Sequence, residues 1–254
     1  MAAKSPPRPV TVLASTMVTP AMLRLTLGGE GMRDFPPRQQ GGYVKLMFAP
    51  QPGKTKPTVR TYTIRHQRDG EIDEDFALHG TDAASAGPAT GWATSVTGGE
   101  GIVIGGPGAA KPLPEGRDFY LVAGDMTGLP AISVNLEALP RDAKGVALIE
   151  VQSEADCQSL DAPAGVEIRW LVNPAPGTRP ELLEQAVRGV EWPAGSPYGW
   201  VACEFSAMQR LRQYLRVERG LGPSELYISS YWKCGLVEDD HKIAKRADAE
   251  ASAG

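Results

Sequence analysis

The first half of the chain alternates apolar and polar residues over short stretches that end at turn-forming residues. Leu23, Leu25 and Leu27 alternate with Arg24 and Thr26, which is the pattern of a half-buried β-strand. Six strands are predicted here: Pro9–Ser15, Met22–Gly28, Gly42–Phe48, Val59–His66, Glu71–His79 and Gly101–Ile104. Short antiparallel strands at this spacing favour a closed barrel or a sandwich.

One helix is predicted in this half, from Pro88 to Val96. Gly87 and Pro88 mark its start, because a proline at the first helical position sacrifices no hydrogen bond. The free N–H groups and the positive dipole end of such a helix suit a phosphate group. From the sequence alone, a helix that merely closes the barrel fits equally well.

The pattern changes after Gly105–Asp118, a glycine- and proline-rich stretch that predicts a linker between two domains, 1–112 and 118–254. The predicted strands beyond it are Phe119–Ala123, Val146–Val151, Val166–Val172, Gly199–Cys203 and Glu225–Ser229. The predicted helices are Thr127–Leu139, Pro180–Val190, Ser206–Arg219 and the tail after Glu238, with Ser206 and Gln209 as a capping box. This alternation indicates a parallel sheet with helices on both faces, whose ligands bind at the carboxyl ends of the strands.

Composition narrows the class of protein. With 42% hydrophobic and 22% charged residues the chain is typical of a soluble globular protein, and its formal net charge of −4 argues against a nucleic-acid partner. No apolar run approaches the roughly 20 residues of a membrane span, and Met1–Pro9 lacks the apolar segment of a signal peptide. Cys157, Cys203 and Cys234 show no zinc or iron–sulfur spacing, so no metal site and a reducing, cytoplasmic location are expected.

The stretch Thr58–His66 carries the most specific candidate chemistry. A period of two places Arg60, Tyr62 and Ile64 on one face of a strand. A guanidinium roughly 6.5 Å from a phenol ring offers a phosphate fork beside a flat aromatic surface, which a phosphorylated planar cofactor requires. On spacing alone, a strand edge that binds no ligand is the more common explanation.

Five stretches follow one another along the chain: Arg60–Arg65, Asp75–Gly80, Gly87–Ala93, Gly124–Ile132 and Ser229–Lys242. Taken in this order, they resemble the siderophore-interacting protein family, a branch of the ferredoxin-reductase-type flavoproteins. Each stretch is short, but the ordered set spans nearly the whole chain. The resemblance implies a six-stranded antiparallel β-barrel that binds FAD, followed by a parallel α/β domain for NADH or NADPH. Because no G-x-G-x-x-G fingerprint is present, the FAD is expected to span the barrel.

The resemblance also implies roles for individual residues. Arg60 would hold a cofactor phosphate, Tyr62 would pack on the isoalloxazine, and Thr63 would lie near its reactive N5 by its N–H or its hydroxyl, so Tyr62 and Thr63 are the catalytic candidates. The other implied cofactor residues are Ile64, Arg65, His79, Gly80, Gly87, Pro88, Ala89, Thr90, Trp92, Gly124, Asp125, Thr127 and Trp232. For His79 a bond to a carbonyl, and for Trp232 packing at a domain interface, remain alternatives.

Several residues depart from the family pattern around the nicotinamide crevice. Met126 stands where a Glu is most frequent, Gly128 where Ala is, and Cys203 where a Gly is usual, which leaves the shape of the pocket open. Glu204 either neighbours the nicotinamide or has no role. Glu150, near the end of the second parallel strand, favours an unphosphorylated ribose, and arginines such as Arg141 would reverse that preference.

The function implied is a cytoplasmic, monomeric, FAD-dependent ferric-siderophore reductase. Lys45, Lys233 and Arg246 are candidates for binding an anionic ferric chelate, since a cationic mouth raises the encounter rate, although lysines are usually just solvated. Two other functions remain open. One is a flavin-carrying siderophore-binding protein with a separate electron donor such as a ferredoxin, and the other is a general flavin or ferredoxin reductase.

Overall fold

The computed structural model describes residues 6–50, 53, 55–78, 87–236 and 238–251. The chain divides into two compact units, Met1–Pro112 and Leu113–Gly254. None of the described helices combines the length and the apolar content of a membrane-spanning segment.

The first unit is a closed antiparallel barrel, as predicted. Its strands are β1 (Arg8–Thr19), β2 (Met22–Gly28), β3 (Tyr43–Phe48), β4 (Thr58–Arg68), β5 (Glu71–Ala77) and β6 (Gly101–Gly108). They pair in the order β1-β2-β5-β4-β3-β6, and β6 pairs back onto β1. The inner face is filled by apolar side chains such as Leu25, Leu27, Ile64, Ile72 and Phe76, and these form the core of the unit.

Helix α1 (Pro88–Ser95) closes the barrel and matches the predicted helix to within one residue. Its side chains at Ala89 and Ala93, one turn apart, are buried in the barrel core. Small residues at these positions let the helix backbone approach the strands closely.

The predicted linker is too long at its start, because Gly105–Gly108 belong to β6. These residues read as a linker because glycines carry no strand signal. In the barrel they face large side chains of β3: a Cβ on Gly105 would lie 2.8 Å from Met47 Cε, and one on Gly108 would overlap the Tyr43 ring. The glycines are therefore required by packing and not by flexibility.

The second unit contains a five-stranded parallel sheet, as predicted. Its strands are β7 (Phe119–Asp125), β8 (Lys144–Val151), β9 (Gly165–Val172), β10 (Pro197–Glu204) and β11 (Leu226–Trp232). They lie in the order β11-β10-β7-β8-β9, so the direction of winding reverses between β7 and β10. Ligands of open α/β sheets bind at such a reversal, beyond the carboxyl ends of the strands.

Helices cover both faces of this sheet. They are α2 (Leu129–Ala138), α3 (Glu181–Arg188), α4 (Phe205–Arg212) and α5 (Glu238–Ala251), and a π-helical segment, Gln213–Glu218, continues α4. Leu121 and Ala123 of β7 share a core cluster with side chains of α3 and α4. Gly124, on the opposite face of β7, lies against Ile132 of α2.

The predicted capping box at Ser206 is wrong by two residues. Helix α4 begins at Phe205, and its N-cap is Glu204, whose side chain accepts hydrogen bonds from the backbone N–H groups of Ser206 and Ala207. A carboxylate is a strong acceptor for these otherwise unpaired donors and also complements the positive end of the helix dipole.

Candidate functional site

The predicted cofactor strand, β4, places its aromatic and polar residues as the period of two requires. Tyr62 lies opposite Val44, and Arg60 lies opposite Leu46, on the face whose apolar side chains fill the barrel. Tyr62 packs against this core but remains only partly buried. Thr63 lies opposite Tyr43 on the outer face, so its side chain and that of Tyr62 point to opposite sides of the strand.

Four aromatic rings meet at one end of the barrel interior. Tyr62 stacks on Phe76 with their ring centroids 4.1 Å apart, and Trp92 of α1 lies 6.2 Å from Phe76 and 5.6 Å from Phe48. Phe76 is fully buried, whereas Tyr62 and Trp92 each keep part of their surface exposed. The cluster therefore offers a partly open aromatic surface that rests on a rigid base.

The neighbouring β4 residues differ in what they can offer a ligand. The Arg60 guanidinium is partly buried and donates from Nη1 to the Val59 carbonyl, 2.9 Å away. Ile64 is fully buried, and its backbone N–H and C=O are bonded to Gly42 and Gly41, so it supports the strand. Arg65 lies at a bulge before His66, where burial and then the charge of Arg65 lower the pKa of His66.

The start of α1 is open to a ligand. Gly87 is its N-cap and Pro88 its first residue, and the N-cap residue makes no side-chain hydrogen bond to the N–H groups of the first turn. A Cβ added at Gly87 or at Gly91 would meet no atom of the described residues within 4 Å, so this part of the chain leaves space beside both. Ala89 and Thr90 are buried on the side facing the barrel, which leaves their backbone N–H groups as the polar feature of this turn.

Two predicted cofactor residues, His79 and Gly80, lie outside the described residues. Lys45, a substrate candidate, is exposed on the outer face of β3, opposite Thr61. The remaining candidates lie in the α/β unit.

Asp125, at the end of β7, joins three strand ends of that unit. Its Oδ1 accepts hydrogen bonds from the N–H and the hydroxyl of Thr127, at 2.9 and 2.5 Å. Its Oδ2 accepts from the Glu204 N–H and from the Trp232 indole N–H, each at 2.8 Å. Both oxygens are thus occupied, and the carboxylate fixes the Trp232 ring relative to β7 and β10.

Glu204 extends this network, and its role was not foreseen from the sequence. Besides capping α4 through Oε2, it accepts from the Cys234 N–H through Oε1 at 3.1 Å. Glu204 is 4% exposed, and both of its carboxylate oxygens already accept hydrogen bonds from the protein, so it offers a ligand little accessible surface. The signal available in the sequence was an acid directly between a strand and a helix, which is the place of an N-cap.

Glu150, at the end of β8, is the third carboxylate of this edge. Its Oε1 accepts from the Asn173 side chain at 2.8 Å, and it is 8% exposed. Burial raises the pKa of Glu150 to about 7; the charges of Asp125 and Glu204 act in the same direction, whereas the bond from Asn173 and the charge of Arg179 oppose it. Its protonation state therefore changes near neutral pH.

Two glycines allow the turn after β7 to approach β10. A Cβ on Gly124 or on Gly128 would lie 2.5 Å from the Ala202 carbonyl oxygen, so neither position accepts a side chain without movement. Met126 between them is buried, with its sulfur 3.9 Å from the Gln152 amide nitrogen.

The two substrate candidates of this unit have different surroundings. Lys233 places its ammonium 4.2 Å from the centre of the Phe205 ring, a cation–π contact that holds the side chain. Arg246 is exposed on α5. That helix is anchored to β11 by His241, which bonds Ser230 at 2.8 Å, and by Lys245, which donates to Ser229 and to the Ser230 carbonyl.

Two family models match the chain. The siderophore-interacting protein model covers residues 117–235, and the siderophore-interacting FAD-binding domain model covers residues 11–55 and 49–111. Ferric vibriobactin reductase ViuB of Vibrio cholerae is 32% identical over an alignment of 253 positions that covers 92% of each chain. The NADPH-dependent ferric-chelate reductase of Escherichia coli is 26% identical over 89% of this chain and 92% of that one.

Solved structures agree with these matches. The siderophore-interacting protein SipS from Aeromonas hydrophila superposes with a TM-score of 0.83 at 32% identity, over 96% of this chain and 98% of SipS. A ferredoxin reductase of carbazole 1,9a-dioxygenase superposes with a TM-score of 0.64 at 16% identity, over 90% of this chain and 67% of that one, and supports the predicted ferredoxin-reductase-like fold. The predicted family is confirmed: the chain belongs to the siderophore-interacting protein family.

Proposed function

We propose that the protein is an FAD-dependent ferric-siderophore reductase that takes electrons from NADH or NADPH. The family models and the reductase relatives support an oxidoreductase that acts on ferric chelates. The observation that carries the finer proposal is the partly open aromatic surface of Tyr62 and Trp92 over Phe76, in the same unit as the open start of α1.

The residues of the barrel fit FAD in three respects. Tyr62 offers the face of a phenol ring to a planar heterocycle, and its stacking on Phe76 keeps that ring from turning away. Arg60 and the N–H groups at the start of α1 would bind phosphate oxygens, with the free space at Gly87 and Gly91 admitting them. When bound, FAD supplies the conversion between two-electron and one-electron transfer that iron reduction requires.

The carboxyl edge of the second sheet is the proposed place of the nicotinamide nucleotide. The turn Gly124–Gly128 leads directly into α2, whose first turn also lacks a capping side chain among the described residues. Its N–H groups would face a pyrophosphate. Asp125 holds Thr127 and Trp232 in place, and so defines one wall of the crevice without presenting an unbonded carboxylate oxygen to the ligand.

The substrate would be an Fe(III) chelate of a siderophore. Fe(III) is a hard ion that oxygen ligands hold tightly, and reduction to Fe(II) weakens that hold. Lys45, Lys233 and Arg246 would attract an anionic chelate by charge. Replacement of each by alanine is expected to raise the KM for an anionic chelate, whereas Lys144→Ala, at the opposite edge of the second sheet, is the matched control that leaves it unchanged.

A second candidate function is a flavin-carrying siderophore-binding protein that receives electrons from a separate donor such as a ferredoxin. The observation that favours it is the row of low-exposure carboxylates, Asp125, Glu150 and Glu204, at the edge where an anionic dinucleotide would bind. In that case a reduced ferredoxin, and neither nucleotide, would bleach the flavin absorbance. A general flavin reductase would be bleached by nucleotide but would not be reoxidised by a ferric chelate.

The test is an anaerobic reduction assay. FAD-loaded protein is mixed with NADH or NADPH, a ferric siderophore and a chromogenic Fe(II) chelator, with free FAD as the protein-free control. We expect bleaching of the flavin followed by colour that develops faster than in the control. Absence of colour above the control with NADH, NADPH and reduced ferredoxin alike would reject the reductase. Size-exclusion chromatography of the same sample tests the proposed monomer, and fractionation of the cells that produce it tests the proposed cytoplasmic location.

A further inference from the structure

We propose that Glu150 selects an unphosphorylated ribose and thereby makes NADH the preferred donor over NADPH. The inference rests on the proposed function, since it names the nucleotide bound at the carboxyl edge of the second sheet. It goes further by assigning the choice to one side chain. The E. coli relative is an NADPH-dependent reductase by name, so the choice cannot be transferred from the family.

Glu150 is the carboxylate of this edge that has an oxygen left for a ligand. It is the last but one residue of β8 and lies beside Asp125 of β7 in the sheet. Asn173 occupies Oε1 at 2.8 Å, whereas no hydrogen bond from the described part of the chain reaches Oε2. Oε2 is also absent from the fully enclosed unpartnered atoms of the described residues, so it retains contact with the surroundings. By contrast, Asp125 and Glu204 use both oxygens in bonds to the protein.

The chemistry of a free carboxylate oxygen at this position distinguishes the two nucleotides. In doubly wound sheets an acid at the end of the second strand accepts a hydrogen bond from the ribose 2′-hydroxyl. A 2′-phosphate instead brings a charge of roughly −1.5 to −2 at pH 7 and no donor. It would also meet the charges of Asp125 and Glu204, which are 7% and 4% exposed and hence weakly screened.

Two arginines, Arg141 and Arg179, are the cations to weigh against this arrangement. Arg141 precedes β8 at the amino edge, and the start of β8 at Lys144 is already six residue rises, roughly 20 Å, from Glu150. Arg141 is also paired with Asp161 through two bonds of 2.7 and 3.0 Å. Arg179 lies at the carboxyl edge, before α3, and its charge acts on Glu150. The Arg179 Nε lies 3.6 Å from a carboxylate oxygen of Glu181, and this pairing draws the guanidinium partly away from Glu150. Arg179 is therefore the cation that the experiment must test.

The selection should depend on pH. The groups that act on Glu150 are Asp125 and Glu204, which favour its protonation, and Asn173 and Arg179, which favour its charge, while burial raises its pKa to about 7. At pH 8 the side chain is mainly the carboxylate, and at pH 6 it is mainly the neutral acid. Discrimination against the 2′-phosphate should therefore increase from pH 6 to pH 8.

Isothermal titration of FAD-loaded protein with NAD⁺ and NADP⁺ measures this without turnover. For the wild type at pH 8 we expect a Kd at least tenfold lower for NAD⁺, and a ratio at least threefold smaller at pH 6. Glu150→Gln keeps the shape and removes the charge, and should reduce the ratio at pH 8 at least fivefold, mainly by tightening NADP⁺. Because Glu150→Gln cannot ionise at this position, any pH dependence that it retains measures the titration of the 2′-phosphate itself. Arg179→Ala should leave the ratio of the two Kd values within twofold of the wild type.

Several results of this titration would contradict the inference. Equal or tighter binding of NADP⁺ by the wild type, or an unchanged ratio in Glu150→Gln, overturns the inference, as does selective loss of NADP⁺ in Arg179→Ala. The ratio of the two Kd values measured for the wild type at pH 8 tests the inference even if a variant fails to fold. If neither nucleotide binds but reduced ferredoxin drives Fe(II) release, the inference fails and the reductase stands. If NAD⁺ binds selectively but no donor yields Fe(II), the reductase fails and the selection stands.

Discussion

Glu74 lies in the middle of β5, between Ile72 and Phe76 on the inner face of the barrel. Its neighbours across the two adjoining strands are Leu25 and Ile64, and all three side chains are 0% exposed. Neither of its carboxylate oxygens has a hydrogen-bond partner among the described residues. Burial, reinforced by the charge of Asp75, raises the pKa of Glu74 to about 8. The side chain is therefore a neutral acid at pH 7, embedded in a hydrocarbon core.

The perturbation of interest is the ionisation of this acid in the folded state. In the unfolded chain its pKa returns to the ordinary 4.5, so between pH 4.5 and 8 the folded state binds a proton that the unfolded state has released. The free energy of unfolding is therefore unaffected by this group below pH 4.5, and it decreases as the pH rises from 4.5 to about 8. The slope is about 1.4 kcal/mol per pH unit, which amounts to about 3 kcal/mol between pH 5 and 7.5. That is a large part of a typical folding free energy of about 5 to 15 kcal/mol.

Urea unfolding of the FAD-saturated protein from pH 5 to 8.5, compared between the wild type and Glu74→Gln, isolates this effect. The amide has nearly the same shape but does not ionise, so the free energy of unfolding of the variant, relative to the wild type, should rise by about 3 kcal/mol between pH 5 and 7.5. Glu71→Gln, on the same strand but partly exposed in its pair with Arg68, is the matched control, and its difference should vary by less than about 1 kcal/mol. A Glu74→Gln difference that is constant with pH would show that the acid is solvated or paired in the native state, and would refute the reasoning.

Three further predictions follow from contacts described above. Tyr62→Ala should weaken FAD binding at least tenfold by fluorescence titration, whereas Tyr62→Phe, which keeps the ring on Phe76, should remain within threefold; equal losses would exclude stacking as the role of the ring. Asp125→Ala should lower the free energy of unfolding by about 3 kcal/mol in urea and shift the tryptophan emission, because it leaves the Trp232 indole and the Glu204 N–H unpaired. Gly128→Ala should cost about 1 to 3 kcal/mol in the same assay, since the added Cβ would lie 2.5 Å from a carbonyl oxygen, and an unchanged midpoint would mean that the turn relaxes freely.

Local pattern predicted an antiparallel barrel or sandwich in the first half and a parallel sheet in the second, and the family resemblance selected the barrel. The alternation around Leu25 indicated half-buried antiparallel strands, and the continuous apolar run of β7 indicated a strand covered on both faces, as the structure has them. The same period of two placed Tyr62 on the inner face of β4. It also contained an unused signal: Glu74 is in phase with Ile72 and Phe76, so an acid facing the core could have been inferred from the sequence.

The polar network at the carboxyl edge could not be predicted in this way. Asp125 bonds to Glu204 and Trp232 across separations of 79 and 107 residues, and no local pattern specifies such pairs. Glu204 was expected either to neighbour the nicotinamide or to have no role, because its function as an N-cap depends on a helix that begins at the next residue. The prediction that the β6 glycines belong to a linker was wrong for a related reason. These glycines are required by the side chains of β3 that lie against them, and nothing in their own segment indicates this.

The three carboxylates at that edge can now be separated by what their oxygens already do. Asp125 and Glu204 are saturated by backbone N–H groups, a hydroxyl and an indole, so they position strand ends and Trp232. Substitution of either should therefore alter stability and the environment of Trp232 before it alters nucleotide choice. Glu150 has one oxygen engaged by a neutral amide and one available, so its substitution should do the reverse. If Asp125→Asn changed the NAD⁺ to NADP⁺ ratio more than Glu150→Gln, this division between positioning and selection would be incorrect.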